Sequence, residues 1–260
     1  MTDVEIADNI AYGSQTTGGG LSAASWTCEL IRVLFRNNSA GAGGAVGFGS
    51  ATTVNISASS FIENKASQNG GSLLSQGQEA EMEITSTTFQ GSSAFEGDGG
   101  AIYMSGQSRL TLNNVKMVAC NAGSNGGGVA LRGESQLILR DVTIRQCQAR
   151  AMGGGLLAAG DSVIFQGDAS TTSTVLVEKN RAREGAGVCC MSKMHLEGQT
   201  TGVIQDNEAK EDGGGLAAFS SYAKLSVSSS SKLQIQNNVA GRNGGGEVRA
   251  VIDNISAAGP

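Results

Sequence analysis

Short apolar stretches alternate with polar residues along the chain, and the alternation is broken at regular places. In Ala101-Ile102-Tyr103-Met104 the pattern has period two, and Ser105-Gly106-Gln107-Ser108 then turns. Arg109-Leu110-Thr111-Leu112 alternates again, Asn113-Asn114 turns, and Val115-Lys116-Met117 alternates a third time. Period two means strands with one buried face. Three strands of three to five residues with three turns use about 27 residues, the length of one coil of a three-sided solenoid of parallel strands.

The coil recurs. Gly-rich triplets begin at Gly18, Gly43, Gly70, Gly99, Gly126, Gly153, Gly185, Gly213 and Gly244, at intervals of 25, 27, 29, 27, 27, 32, 28 and 31 residues. The residue after each triplet is apolar (Leu21, Val46, Leu73, Ile102, Val129, Leu156, Val188, Leu216) until Glu247. A second motif precedes each triplet: an apolar residue, two variable ones, then a small polar one. The small polar residues are Asn9, Asn38, Asn64, Ser92, Cys120, Cys147, Asn180, Asn207 and Asn238, and a further start appears at Val251/Asn254. Alanine follows two residues later: Ala11, Ala40, Ala66, Ala94, Ala122, Ala149, Ala182, Ala209 and Ala240.

These repeats predict an all-β, right-handed parallel β-helix of about nine coils with three short strands per coil, about 43 Å long at the usual strand spacing. Helical solenoids would need apolar residues at i, i+3, i+4 and i+7 among good helix formers, whereas Gly, Ser, Thr and Val dominate here. The recurrent LxxLxL of leucine-rich repeats is absent. The glycines are expected at corners where φ is positive or a Cβ would clash. The Asn-type position is expected in a turn, where Asn tolerates the left-handed region. Stacked coil on coil, those side chains would form an inward hydrogen-bonded ladder, and the alanines would fill a tight bend. Phe48, Met104, Leu131 and Cys190 should point inward two residues after the first apolar position of their strands. Phe35, Phe61 and Phe89 should stack as a column continued by Met117 and Ile144.

Composition agrees with a thin core. Glycine is 39 of 260 residues, roughly twice average usage, while aromatics are only 4%. The net charge of −5 disfavours nucleic acid and anionic membrane as partners. No run of about 18 apolar residues exists, so no membrane-spanning helix is expected. Met1-Thr2-Asp3-Val4-Glu5 lacks the basic and apolar regions of a secretory signal.

Phe35-x-x-Asn38 with Gly43-Gly44-Ala45-Val46, Phe61-x-x-Asn64, and Gly99-Gly100-Ala101-Ile102 resemble the FxxN and GGA(I/L/V) repeats of chlamydial polymorphic outer membrane proteins. Similar Gly-Gly-Gly-apolar repeats occur in large surface proteins of protists and algae. Both look like members of the pectin-lyase-like β-helix group. The resemblance covers the whole chain in relaxed form and implies an exported adhesive or structural passenger, extracellular or at the cell surface. The family's autotransporter barrel is not visible in this chain.

Candidate chemistry is sparse. Pectinase-like hydrolases carry clustered Asp residues with a His and an Arg-x-Lys, and this chain has one histidine, His195, without such a cluster. His195 lies in an alternating stretch and is expected to face solvent on a strand. Glu96/Asp98 and Glu208/Glu211/Asp212 read either as carboxylate or Ca²⁺ sites or as solvated loop residues, the second being the plainer reading. Arg181 and Arg183 are placed to pair with Glu208 and Glu211 one coil on. The Gly-rich segments lack the GK[ST] of a phosphate loop. The threonines do not align at one coil position, as an ice-binding array requires.

No cofactor and no metal site is expected. Five cysteines without CxxC or His-rich spacing do not suggest zinc. Cys120 and Cys147, one coil apart, fit either a disulfide or two buried thiols, and Cys189-Cys190 reads as one outward and one inward residue. Asn37 and Asn55 head exposed sequons, and Asn254 heads a third within the ladder register.

The chain is expected to form a single β-helix domain over 1–260. It starts and stops inside a coil, so it is expected to be a fragment of a longer chain or to be capped by protein partners at its open end coils. The leading functional reading is a non-enzymatic structural or adhesive module in a surface, filament or larger assembly. The alternatives are a polysaccharide-acting enzyme and a carbohydrate-binding module, the latter resting on Trp26, Tyr12, Tyr103 and Tyr222.

Overall fold

The computed structural model describes residues 1–242 except Trp26, Ala169 and Ser170. Within these residues the chain is an all-β parallel solenoid. Residues Gly244, Glu247 and the Val251/Asn254 motif lie outside the described part, as does the Asn254 sequon. No helix among the described residues is long and apolar enough to cross a membrane.

Three parallel sheets run along the solenoid. One has nine strands in chain order, from Glu5–Ala7 to Lys232–Gln236, which makes nine rungs and eight turns between them. The second contains two strands from most coils, such as Val46–Phe48 and Thr53–Ser57. Those two strands fuse into Leu73–Thr85 in one coil and Ile102–Asn113 in the next. The third is a ribbon of eight two-residue strands, from Ser39–Ala40 to Val239–Ala240. The three strands per coil expected from the sequence are present, and the ribbon adds a fourth. Two residues are too short for alternation to be seen, which hid it.

The register is strict. Phe35 pairs with Phe61, Phe61 with Phe89, Phe89 with Met117, and Met117 with Ile144. The three rings stack at centroid separations of 4.9 and 4.7 Å with interplanar angles of 9° and 12°. The first apolar residue after each triplet from Val46 to Leu216 is buried, as are Phe48, Met104, Leu131 and Cys190. The column that holds Phe48 and Met104 has Ser75 between them. Its hydroxyl is buried and has no hydrogen-bond partner.

One corner is built differently from the sequence expectation. The left-handed residue is not the ladder Asn but the one before it. Asp8, Asn37, Glu63, Gly91, Ala119, Gln146, Lys179, Asp206 and Asn237 all have φ of 52–63°. This turn points the next side chain inward and leaves the strained residue outside, where almost any side chain fits. The glycine triplet divides its work. Gly99 has φ of 71°, while a Cβ on Gly100 would collide with the carbonyl oxygen of Gly127 one coil on. The third place tolerates a small side chain, here Ala101, fully buried.

The outward side chains of the first long-sheet column are also covered. Leu74, Tyr103, Ala130, Leu157 and Cys189 form a second apolar cluster with Ala42, and Met152 packs against it. Ala42 and Met152 immediately precede glycine triplets, so the loop before each triplet folds back over this face. Among the described residues, the second column, the nine-stranded sheet and the ribbon present side chains to solvent in rows.

Replacing Ser75 with alanine removes a buried hydroxyl that makes no hydrogen bond. Ser75→Ala is expected to stabilise the fold by about 1 kcal/mol, seen as a higher urea midpoint at unchanged slope. A lower midpoint would mean the hydroxyl is satisfied in solution.

Candidate functional site

The ladder positions fall in one interior column. The backbone N–H and the side-chain Nδ2 of Asn38 both donate to Oδ1 of Asn64, at 3.0 and 3.1 Å. The second Nδ2 hydrogen of Asn38 reaches back to the carbonyl of Ile6 at 2.8 Å. Asn9 repeats the two donations toward Asn38. Asn180 and Asn207 repeat all of them, and Asn238 donates to the carbonyl of Ile204 at 2.9 Å. Each interior amide therefore uses two donors and one doubly accepting oxygen, which is its full capacity in this geometry.

The ladder is interrupted at Ser92, Cys120 and Cys147. Asn64 reaches Ser72 Oγ at 3.4 Å, and Ser72 shares a 2.6 Å hydrogen bond with Ser92. The Cys120 thiol lies against the carbonyl of Val118, and the Cys147 thiol against that of Arg145. The ladder resumes where Cys147 N–H donates to Asn180 Oδ1 at 2.9 Å. All five cysteines are free thiols. Burial pushes the Cys147 thiol well above its ordinary value. Burial, with the neighbouring Cys190 and Glu184, pushes Cys189 up to about 12. Cys189 faces outward and is buried in the outer cluster, while Cys190 faces inward and is buried in the main core.

A second polar stack, not foreseen from the sequence, lies in the loop before the triplets. Asn69 Oδ1 accepts from the N–H of Asp98 at 2.8 Å. Asp98 Oδ1 accepts from the N–H and Nδ2 of Asn125 at 2.9 and 2.8 Å. Asn125 Oδ1 accepts from Met152 N–H at 3.1 Å. This stack runs opposite in direction to the interior ladder. Asp98 Oδ2 also holds Arg132 Nε at 2.7 Å, with the Asp98 side chain only 10% exposed. Asp98 is therefore buried structure and not a solvated loop residue, while Glu96 is exposed.

The other acidic group separates too. Arg181 pairs with Glu208 at 2.9 Å as expected. Arg183 instead pairs with Glu184 in its own coil at 3.5 Å. Glu211 and Asp212 meet Arg242, at 3.2 and 2.9 Å. The step from Ala182 to Gly185 is one residue shorter than that from Ala149 to Gly153 one coil earlier, and here the Arg183 backbone N–H donates to Ala151. No group of three or more metal-ligating residues converges among the described residues.

His195 is half-buried on the outward face of Lys193–Glu197, between Ile164 and Ser226. Asn37 and Asn55 are exposed, and Asn37 Nδ2 donates to Asp8 at 2.9 Å. Tyr103 is only 8% exposed, inside the outer cluster, so it offers no platform to a ligand. Tyr12 and Tyr222 are exposed at opposite ends of the described solenoid. Trp26 lies outside the described residues.

Among the described residues, surface depressions lie on two faces. One, of about 500 Å³, lies on the second column of the long sheet and is lined by Glu79, Glu81, Glu134 and Asp161 around Arg109. Glu83 continues this acidic face. Another lies along the ribbon, where Arg150, Arg181, Arg183 and Lys210 line it beside Glu208.

Strictly registered parallel rungs, held by stacked amides inside and by ion pairs outside, define a β-solenoid protein. The chain belongs to the right-handed β-helix family: residues 23–246 match the model described as a right handed beta helix region. No curated protein matches the chain, and no solved structure does.

Removing one ladder amide strands its neighbours' donors in an apolar interior. Asn207→Ala is expected to cost about 3–5 kcal/mol, measured by denaturant unfolding, against little change for the exposed Asn121→Ala. A thiol reagent at pH 8 is expected to label Cys28, which is half-buried, well before the other four cysteines. They should react only as the protein unfolds, because burial denies the reagent access to all four and holds the Cys147, Cys189 and Cys190 thiols above their ordinary values.

Proposed function

We propose that this chain is a non-enzymatic structural or adhesive module, a scaffold within a surface, filament or larger assembly. The observation that carries this reading is the direction of the polar interactions. Inside, the amides bind from coil to coil. Outside, Arg32–Asp3, Arg36–Glu5, Arg181–Glu208, Lys193–Asp161 and Arg242–Asp212 also join successive coils. Such an allocation serves cohesion along the rod. The repeats that resemble those of chlamydial polymorphic outer membrane proteins support an exported, adhesive role. In that setting protein partners cover the end coils, where Ile6, Leu21 and Ala23 are only partly buried. Asn37 and Asn55 would be the glycan acceptors if export occurs in a eukaryote.

The acidic face around Arg109 favours a second reading, a polysaccharide-acting enzyme. The carboxylates there, Glu79, Glu81, Glu83, Glu134 and Asp161, are exposed and spread over a shallow face. Catalytic carboxylate pairs instead need one group held in a distinct environment. Incubation with neutral and acidic polysaccharides, followed by assay of new reducing ends and unsaturated products, separates the readings. The scaffold reading expects no turnover. Turnover abolished by Glu81→Gln or Glu83→Gln would establish the enzyme instead.

A further inference from the structure

The interior ladder changes chemistry where Cys120 and Cys147 stand at one column position in successive coils. Asn121 pairs with Gln148 and Ala122 with Ala149. The two cysteines immediately before them therefore lie one rung apart, about 4.8 Å. Both are fully buried. In the amide part of the ladder the N–H of each rung donates to Oδ1 of the next, as from Asn38 to Asn64. Here sulfur takes the place of that oxygen. Ser92 directs its N–H and its hydroxyl at the Cys120 sulfur, Cys120 directs its N–H at the Cys147 sulfur, and a hydrogen bond joins the two thiols. Donors aimed at a sulfur favour its thiolate form. A third sulfur, that of Met117 three residues before Cys120, is fully buried in the neighbouring column. This stretch of the core thus gathers soft donors at the place where no side-chain amide ties one coil to the next.

We propose that Cys120 and Cys147 hold one soft monovalent ion, copper(I) being the one to test, as a linear pair of thiolates between their two coils. Two metal–thiolate bonds of about 2.3 Å span about 4.6 Å, close to the rise of one coil. A disulfide fits the column less well. Side chains stacked in register keep their Cβ atoms near the coil spacing, whereas a disulfide draws them to about 3.8 Å. Structural zinc takes four ligands, and no group of three or more His, Cys, Asp or Glu converges among the described residues. Thiolate and thioether donors select copper(I). Cys189 and Cys190 face opposite sides of their strand and cannot share an ion in this way. Loading breaks two S–H bonds and forms two S–Cu bonds. Both protons pass to solvent and the metal keeps its oxidation state, so no oxidant or reductant takes part. The product carries one negative charge, which the Ser92 and Cys120 N–H groups face. Because both sulfurs are closed off in the folded chain, the ion enters as the coils stack. Bound there, it joins two coils where the amide column does not. The site goes beyond the scaffold reading, and neither depends on the other.

The test unfolds the full chain under nitrogen, refolds it with an equimolar amount of copper(I), and then adds a competing copper(I) chelator. The folded protein is expected to retain one copper per chain and to release it on unfolding. X-ray absorption should show two sulfur neighbours and no nitrogen or oxygen. Loading should raise the urea midpoint, because the ion binds the folded chain. Cys120→Asn/Cys147→Asn, which carries the ladder amide through this stretch, should fold, retain no copper and show no copper-dependent midpoint. Cys120→Ser/Cys147→Ser should also retain none, while Cys189→Ser/Cys190→Ser should retain as much as the unsubstituted chain. Circular dichroism confirms the fold of each variant. The proposal is overturned if the folded unsubstituted chain keeps no copper against the chelator, or if Cys120→Asn/Cys147→Asn keeps as much. A metal bound through nitrogen or oxygen would overturn it too, as would a metal-free product lighter by two hydrogens, the mark of a Cys120–Cys147 disulfide.

Discussion

Parallel rungs in strict register set each side chain on its counterpart one coil away, about 4.8 Å off. Every interior position therefore becomes a column, and a residue type is acceptable only if it can stack on itself or a close substitute. Phe35, Phe61 and Phe89 meet this with near-parallel rings. Asparagine meets it because a primary amide carries donors and acceptors at one short reach, so each copy satisfies the next. A carboxylate or an ammonium could not repeat this way without burying like charges. The same constraint selects glycine at the second place of most triplets, where the neighbouring coil's backbone occupies the space of a Cβ, with the buried Ala186 the exception among the described triplets.

The interior ladder is not uniform. Three amides at each end, Asn9 to Asn64 and Asn180 to Asn238, flank the segment of Ser92, Cys120 and Cys147. Hydroxyls and thiols there make fewer and weaker hydrogen bonds than amides. The two longest strands, Leu73–Thr85 and Ile102–Asn113, lie beside the start of this segment. They are paired along almost their whole length with a single register shift. Backbone pairing is thus most continuous where the amide column first gives way. Loops closing over Leu74, Tyr103 and Leu157 add a second apolar layer on the same coils.

Outside, the fold sorts charge by face. The second long-sheet column gathers carboxylates around Arg109, and the ribbon gathers arginines and lysines. Both are rows at coil spacing.

The sequence by itself determined the coil, because a strict repeat of about 27 residues with alternating apolar positions can bury its apolar side chains only by stacking. It also determined the contents of the columns, since equivalent residues of successive coils must coincide: the Phe stack, the Asn positions and the Arg181–Glu208 pair were legible from spacing alone. Other features depended on how turns bend and loops fold back. The left-handed corner falls one residue before each Asn, where no residue type marks it. The two-residue ribbon is too short to show a period. Tyr103, polar-tipped and on the outward phase, is buried because a loop covers it. Asp98 is buried by hydrogen bonds from Asn125 and Arg132 in the following coil, and Arg183 pairs with Glu184 where the segment before the triplet is one residue shorter. Periodicity fixes which residues share a column, but only the three-dimensional path of the loops decides which faces remain open to solvent and to a ligand.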